Sequence, residues 1–434
     1  MIVICEPICR VFSHEKVNSG FIYGLRLAFP DDRIRFYADV THIEAIRTIL
    51  AHDNVEIENI EYVPIVLSDS TTLRGAIHYY QLFKRIFAEV IDLGTNKIFF
   101  LSYSPVLIYL IKRLKQRPTF GSFKFTFVLH GDFESIKGDA RMTNPLISPH
   151  NYVIKNSTLF ERIRDVKPKD VARKIYRSGR RFFQICSTFF NLKMSISQWF
   201  PTKKILLWRD SPDFKYIALS EQVVGNAKKY IDTNRVNIHT IVLPTNFAAP
   251  ISQPGNKYVK FAIFGYGSSA VLRVIADKLS QKEIKRQYEI RIIGMDNTGL
   301  SGYPNIICPS AGRPLTRQDM EKYAKDVDVF MILYHKGQYQ LTCSGTILEA
   351  ISNSKPVLHF DNDCINSFNR PNNPIGICCN NMDEYVERVV DIITNYETYI
   401  PQFQLYRRNI MKLREALSVK SSVPRIRNSF VWES

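Results

Sequence analysis

Short apolar runs alternate with amphipathic stretches along most of the chain. Runs of four to seven apolar residues predict strands, and apolar positions at three- and four-residue steps predict helices between them. In the first half the predicted strands cover 2–5, 35–38, 60–66, 97–101 and 123–129. The predicted helices there cover 19–27, 42–50, 73–90 and 105–115.

The same alternation begins again after a stretch rich in Pro, Gly and Asn at 244–256. In this second half the predicted strands cover 258–264, 288–293, 327–333 and 357–360. One predicted helix there ends at residue 279 and another begins at Ser344, and two more cover 316–325 and 382–394. Strands that alternate with helices form parallel sheets covered on both faces. We therefore predict an α/β protein with two Rossmann-like, doubly wound domains that face each other across a cleft.

The pattern also sets the expected domain limits. Residues 1–245 form the predicted N-terminal domain, and residues 257–400 form the second, nucleotide-type domain. Residues 401–434 have helical spacing at their start, and we expect this tail to pack back across both domains. At 434 residues and 45% hydrophobic content, the chain is large enough for two such cores.

Composition narrows the expected setting of the protein. The eight cysteines are scattered without metal-binding spacing, so we interpret them as reduced thiols of a cytoplasmic protein. The chain starts without the basic lead of a signal peptide, and it has no apolar run of 18 residues. These features predict a protein that is neither exported nor membrane-spanning.

The positive charge is concentrated in one segment. The chain carries a formal net charge of +17, and between Lys155 and Lys215 basic residues outnumber acidic ones by 15 to 5. Aromatic residues are interleaved with these charges, which is typical of a surface that binds anionic lipid headgroups. There are two alternatives. The segment could bind single-stranded nucleic acid, or its aromatic residues could face a core while its charged residues are solvated and bind nothing. We favour the inner face of the cell membrane and expect no nucleic acid, because no other nucleic-acid signature occurs.

The sequence Ser344-Gly345-Thr346, with Glu349 one and a half turns later, is the most informative motif. It follows a predicted buried strand and begins a helix, whose free backbone N–H groups and dipole attract phosphate. A carboxylate at Glu349 would reach the hydroxyl groups of a ribose joined to that phosphate. The alternative is an ordinary helix cap with an acidic residue that offsets the dipole.

Two further motifs lie at predicted strand ends. The turn Gly265-Tyr266-Gly267-Ser268-Ser269-Ala270 enters a helix, and it lets backbone approach a pyrophosphate to which Arg273 would add a cation. The next strand ends at Gly294-Met295-Asp296, which places an acid where a dinucleotide-binding fold binds ribose. The glycine turn and this acid together therefore also fit a dinucleotide-binding oxidoreductase. In the first half, His130-Gly131 ends a buried strand, where His130 would contact a ligand as donor or general base, or would only cap the next turn.

The order of these motifs resembles that of GT-B glycosyltransferases, above all bacterial enzymes that build surface polysaccharide. The Gly312-Arg313-Pro314 turn and the stretch from Tyr339 to Pro356 add to the resemblance. It implies that the domain formed by residues 1–245 binds the acceptor. It also implies that Gly265, Gly267, Tyr339 and Ser344 to Thr346 bind the donor, that Glu349 binds its ribose, and that His130 contacts the sugar near the reacting carbon.

The sequence also departs from that family. Many retaining members carry a second acid eight residues before the ribose-binding one, and here that position is Leu341. An Arg and a Lys commonly follow the glycine turn, but only Arg273 lies nearby, so Arg273, Arg313 or Lys336 is expected to balance the diphosphate.

The predicted function is that of a hexosyltransferase-type glycosyltransferase. It would move a sugar from a nucleoside-diphosphate donor to a hydroxyl of a lipid-linked glycan, in capsule, lipopolysaccharide or related polysaccharide synthesis. The resemblance implies retention of configuration, and we expect no metal ion and no cofactor besides the nucleotide-sugar co-substrate. An NAD(P)-dependent oxidoreductase that uses Gly265 to Ala270 and a non-catalytic scaffold are the alternatives.

Overall fold

The computed structural model describes residues 1–137, 199–247, 255–265, 268–294, 300, 302–309 and 315–432. Most of the basic segment 155–215, and the predicted site residues Gly267 and Arg313, lie outside these ranges. The predictions made for them therefore stay predictions.

The first half forms a seven-stranded parallel sheet in the order β3-β2-β1-β4-β5-β6-β7. Its strands are β1 (Ile2–Cys5), β2 (Ile34–Ala38), β3 (Ile60–Pro64), β4 (Lys97–Phe100), β5 (Lys124–Leu129), β6 (Phe214–Ala218) and β7 (Ile238–Thr240). Its described α-helices are α1 (Glu15–Ala28), α2 (Val40–His52), α3 (Leu73–Asp92), α4 (Pro105–Lys115), α5 (Thr202–Leu207) and α6 (Glu221–Ala227). Short 3₁₀ helices cover Pro118–Phe120 and Gly131–Lys137.

The second half forms a six-stranded parallel sheet in the order β10-β9-β8-β11-β12-β13. Its strands are β8 (Lys260–Phe264), β9 (Glu289–Ile293), β10 (Ile306–Ile307), β11 (Val329–Ile332), β12 (Val357–Phe360) and β13 (Gly376–Cys379). Its helices are α7 (Ser269–Ser280), α8 (Arg317–Lys325), α9 (Gly345–Ser352), α10 (Asp363–Asn366) and α11 (Met382–Thr394).

In both sheets the strand order reverses beside the first strand of the half. The neighbours of β1 are β2 and β4, and the neighbours of β8 are β9 and β11. Open parallel sheets bind ligands in the crevice beyond their carboxyl ends at such a reversal. The prediction of two Rossmann-like, doubly wound units is confirmed, and the chemistry-bearing motifs lie at these carboxyl ends.

Two C-terminal helices connect the halves. Helix α12 (Tyr396–Leu417) packs on α9, and the Asn409 amide donates to the Pro374 carbonyl of the second half at 2.7 Å. Helix α13 (Val419–Phe430) packs on α1, and Arg427 donates to the Ala28 carbonyl of the first half at 2.7 Å. The chain therefore returns to the half from which it started, although the domain limits given above stay predictions.

The hydrophobic core continues from one half to the other. One cluster contains Phe21 and Phe99 of the first half, Ile347 of the second and Phe430 of α13. Separate clusters fill the remaining face of each sheet. No helix in the described part of the chain is both long enough and apolar enough to cross a membrane.

Candidate functional site

Three chain segments converge at the carboxyl edge of the second sheet. Gly265 ends β8 with φ of 67° and Gly294 ends β9 with φ of 86°, in a region that side-chain-bearing residues rarely adopt. The Thr346 hydroxyl of α9 donates to the Phe264 carbonyl at 3.3 Å, and a Cβ at Gly265 would lie 3.4 Å from that hydroxyl oxygen. The structure thus brings the predicted glycine turn and the predicted helix start together.

Ser344 and Gly345 differ in what they offer a ligand. Ser344 is fully buried; its hydroxyl accepts the Thr346 N–H at 3.1 Å and bonds the Tyr334 hydroxyl at 2.9 Å. The side chain of Ser344 is therefore a helix cap, as the simpler interpretation has it. Gly345 is exposed, and a Cβ built there meets no atom within 4 Å. A ligand can approach the backbone at Gly345.

The loop between β11 and α9 docks on the first half of the chain. Leu341 is fully buried in the core cluster of the first half, and its N–H donates to Glu134 Oε1 at 2.7 Å. Gln222 of α6 donates to the Gln340 carbonyl at 2.6 Å. Tyr339, with φ of 56°, places its ring 4.4 Å from that of Tyr334. Position 341 is thus a packing contact between the halves.

Glu349 has a partner that sequence reasoning missed. Lys16 of α1 donates to Glu349 Oε2 at 2.8 Å and to the Ser352 hydroxyl at 3.2 Å. The side chains of Lys16 and Glu349 are only 13% and 12% exposed, so water screens the pair weakly. The cation beside the predicted ribose-binding acid therefore comes from the opposite half.

His130 lies directly after the end of β5. Its Nε2 is 2.7 Å from the Leu101 carbonyl, so that nitrogen carries the proton and Nδ1 keeps a lone pair. Its ring stacks on that of His14, with centroids 4.4 Å apart. Burial lowers the pKa of His130 well below its usual value, so the ring is neutral at pH 7. A neutral ring bonded in this way offers one acceptor to a ligand and is a weak base.

Asp132 follows two residues later, in the 3₁₀ helix Gly131–Lys137. It is half-buried, and burial raises the pKa of its carboxyl group to about 6. Within the described residues no side chain or backbone N–H donates to this carboxylate. Sequence reasoning passed over Asp132, although its place directly after His130-Gly131 at a strand end was visible.

The structure also describes two of the predicted cations, Arg273 and Lys336. Arg273 is on an exposed face of α7, near Tyr303. Lys336 is exposed and pairs with Asp361 at 2.9 Å. Which cation balances the diphosphate stays a prediction, and Lys16, which pairs with Glu349, is a further candidate from the first half.

Comparisons with solved structures identify the fold. A glycosyltransferase from Rickettsia africae is 12% identical over 100% of this chain and 99% of its own, with a TM-score of 0.54. The lipopolysaccharide outer core galactosyltransferase WaaB in its apo form is 11% identical over 99% of this chain and 98% of its own, with a TM-score of 0.53. HepE of Anabaena, solved in complex with UDP, is 10% identical over 99% of each chain, with a TM-score of 0.55.

These neighbours are GT-B glycosyltransferases, and the chain has the GT-B fold. The resemblance drawn from the order of the sequence motifs is therefore confirmed at the level of the fold. No family model matches the sequence, and no curated protein matches it.

Proposed function

We propose that the protein is a glycosyltransferase that moves a sugar from a nucleoside-diphosphate donor to a hydroxyl group of a glycan acceptor. The observation that carries the proposal is the convergence of Gly265, Gly294 and the start of α9 in a GT-B fold, where the turn after His130 contacts the loop that leads to α9. The similarity to the lipopolysaccharide galactosyltransferase WaaB supports surface polysaccharide as the acceptor class. The similarity to HepE, solved in complex with UDP, supports a nucleotide sugar as the donor.

In this proposal the diphosphate binds at the N-terminus of α9. The exposed Gly345 lets phosphate oxygens approach the backbone, and the helix dipole favours their negative charge. When the sugar leaves, the diphosphate gains charge, which the preorganised helix end and the Lys16 ammonium stabilise. This arrangement requires no metal ion.

Glu349 binds the ribose hydroxyl groups, so the donor has to share this carboxylate with Lys16. A carboxylate has two oxygens and about four acceptor positions, and Lys16 bonds Oε2. Donor binding is thereby coupled to a contact between the two halves. We expect a nucleoside diphosphate to tighten the cleft.

An exposed apolar surface at the carboxyl edge of the first sheet supports a lipid-linked acceptor and a location at the inner face of the membrane. Its exposed side chains are those of Val11, Phe12, Val40, Val66, Leu73 and Ile77. Hydrogen bonds join the segments that carry them: the Val11 N–H donates to Thr41 Oγ1 at 3.1 Å, and Arg10 donates to the Leu67 carbonyl at 2.8 Å. Apolar side chains beside exposed arginine are typical of surfaces that lie on anionic bilayers.

A binding experiment tests the donor site. Titration calorimetry with UDP, GDP and CDP should find one nucleotide that binds, and Glu349→Gln should weaken it about tenfold or more, since a hydrogen bond to a charged group contributes about 1.5–3 kcal/mol. Glu387→Gln, at an exposed glutamate of α11, is the matched control and should leave binding unchanged. Equal affinity for Glu349→Gln and wild type would refute the assigned ribose contact.

A vesicle experiment tests the membrane surface. The protein should sediment with anionic vesicles at low salt, and the double substitution Phe12→Ser with Val66→Ser should abolish this. Val274→Ser, at an exposed valine of α7, serves as the control and should still sediment. If the double variant sediments as wild type does, this surface is not the membrane contact.

The two alternatives predict other results. An oxidoreductase would bind NADH and change its fluorescence, and a non-catalytic scaffold would bind vesicles without releasing nucleoside diphosphate from any nucleotide sugar. We expect neither outcome, because the GT-B fold and the opposed carboxyl edges both favour sugar transfer.

A further inference from the structure

Asp132 is a carboxylate that the fold places in the cleft without using it. It follows β5 at the carboxyl edge, two residues after His130, and it is half-buried. Its backbone carbonyl accepts bonds from Ser135 and Thr202, which fix the chain at this point. Among the described residues none donates to its carboxylate. A half-buried, unpaired carboxylate costs folding free energy, so a folding role does not explain it.

The groups around Asp132 do not neutralise it. The Tyr103 hydroxyl, beyond the end of β4, is buried and has no hydrogen-bond partner among the described residues. Burial raises the pKa of Tyr103, and the negative charge of Asp132 raises it further. The neutral His130 lies on the same strand end, and His14 stacks on it. Among the described residues, the other titratable groups near this turn are Glu134, Lys137, Lys203, Lys204 and Tyr339. Glu134 and Lys137 pair with each other, and Lys203 and Lys204 are exposed.

The turn that holds Asp132 also contacts the loop that leads to the donor anchor. Glu134 accepts the Leu341 N–H at 2.7 Å, and Lys137 donates to the Gly337 carbonyl at 3.4 Å. Helix α9 begins only four residues after Leu341. Asp132 is thus held on the turn of the first half that contacts the loop leading to α9, where the proposed function places the diphosphate.

We propose that Asp132 is the catalytic base that takes the proton of the acceptor hydroxyl, and that the transfer inverts the configuration of the sugar. The inference rests on the proposed function. As the acceptor oxygen forms its bond to the anomeric carbon, its proton passes to the Asp132 carboxylate. The bond from that carbon to the diphosphate oxygen breaks, and its electron pair leaves with the diphosphate. No oxidant or reductant takes part.

This mechanism replaces the retention that the family resemblance implies. Retaining transfer needs no protein base opposite the leaving group, since the donor phosphate takes the proton on the same face. At position 341, where many retaining members carry an acid, a leucine is buried in the opposite half. The carboxylate that we propose as the base belongs instead to the first half, on the turn that contacts the loop before α9.

Variants of Asp132 test the proposal in assays with the nucleotide sugar and acceptor that the wild type turns over. The first variant is Asp132→Asn. The variant should bind nucleoside diphosphate as tightly as the wild type and lose at least about 100-fold in kcat, which is the range of general-base catalysis. The kcat of the wild type should rise with pH through about pH 6, and this rise should be absent in the variant. Asp132→Glu should recover part of the rate. NMR of the product should show the anomeric configuration opposite to that of the donor.

The outcomes separate this inference from the proposed function. A wild type that neither binds a nucleoside diphosphate nor transfers sugar would overturn both. Wild-type transfer with retained configuration, or Asp132→Asn with kcat within about threefold of wild type, would overturn the role of Asp132 alone.

Discussion

Replacing Gly345 by alanine should separate the stability of the fold from the binding of the donor. The added Cβ meets no protein atom within 4 Å, and Gly345 is not among the described glycines with positive φ. Alanine also restricts the unfolded chain more than glycine does, so the variant should be more stable by about 0.4–1 kcal/mol. The same Cβ stands where phosphate oxygens would approach the backbone of α9.

The expected loss of affinity follows from the contact that this Cβ obstructs. A hydrogen bond to a charged group contributes about 1.5–3 kcal/mol, so Gly345→Ala should weaken nucleoside diphosphate binding roughly 10- to 100-fold. Titration calorimetry gives the affinity, and urea unfolding gives the stability.

Gly225→Ala is the matched control. Gly225 is an exposed glycine of α6, and a Cβ built there also meets no atom within 4 Å. This variant should gain stability in the same way and bind the nucleotide as wild type does. If Gly345→Ala binds with wild-type affinity, the diphosphate does not lie against the start of α9.

Three further predictions concern charge in the cleft. Because the folded-state pKa of Asp132 is about 6 against an ordinary value of 3.8, the folded protein loses stability as pH rises from about 4 to 6. At about 1.4 kcal/mol for each pH unit between these two values, urea unfolding should show Asp132→Asn more stable by up to about 3 kcal/mol at pH 7, with the gain vanishing near pH 4. A gain that persists at pH 4 would contradict this cause. Lys16→Met and Glu349→Gln should not be additive in their effects on the free energy of unfolding. A double-mutant cycle should show a coupling energy of about 1–3 kcal/mol, which lies between the values for exposed and buried ion pairs. Additive effects would mean that the 2.8 Å contact does not hold the halves together. Sugar transfer should be unchanged by EDTA, and a loss of activity that Mg²⁺ or Mn²⁺ restores would show that a metal ion is required.

Most elements of the fold are predictable from the periodicity of the sequence. Strand β1, helix α4, strand β12 and helix α11 have the predicted limits, and most other predicted elements differ by a few residues. Helix α1 begins at Glu15, four residues before the predicted start, because polar Glu15 and Lys16 precede its apolar face.

The missed elements have physical reasons. Strand β6 contains Lys215, whose charged end donates to the Asn428 carbonyl of α13 at 2.9 Å, a contact that no local pattern reveals. Strand β7 has only three residues. Helix α13 contains Pro424, which by itself argues against a helix.

The candidate site, like the fold, can be predicted from the sequence only in part. The glycine turn and the start of α9 are local motifs at strand ends, so the sequence locates them and the sheet topology brings them together. The pairing of Lys16 with Glu349 joins residues 333 positions apart, and only the packing of the two halves creates it. The pKa of Asp132 likewise depends on burial in the cleft, which a sequence does not show.

In the proposed function, a nucleoside diphosphate binds between the start of α9 and the first half of the chain. A crystal structure of the protein with the nucleoside diphosphate that binds tightest tests it most directly. We predict diphosphate oxygens within hydrogen-bond distance of the backbone at Gly345, with the ribose on Glu349 and the sugar side of the diphosphate facing Asp132. A nucleotide bound elsewhere, or a ribose that does not contact Glu349, would contradict the account.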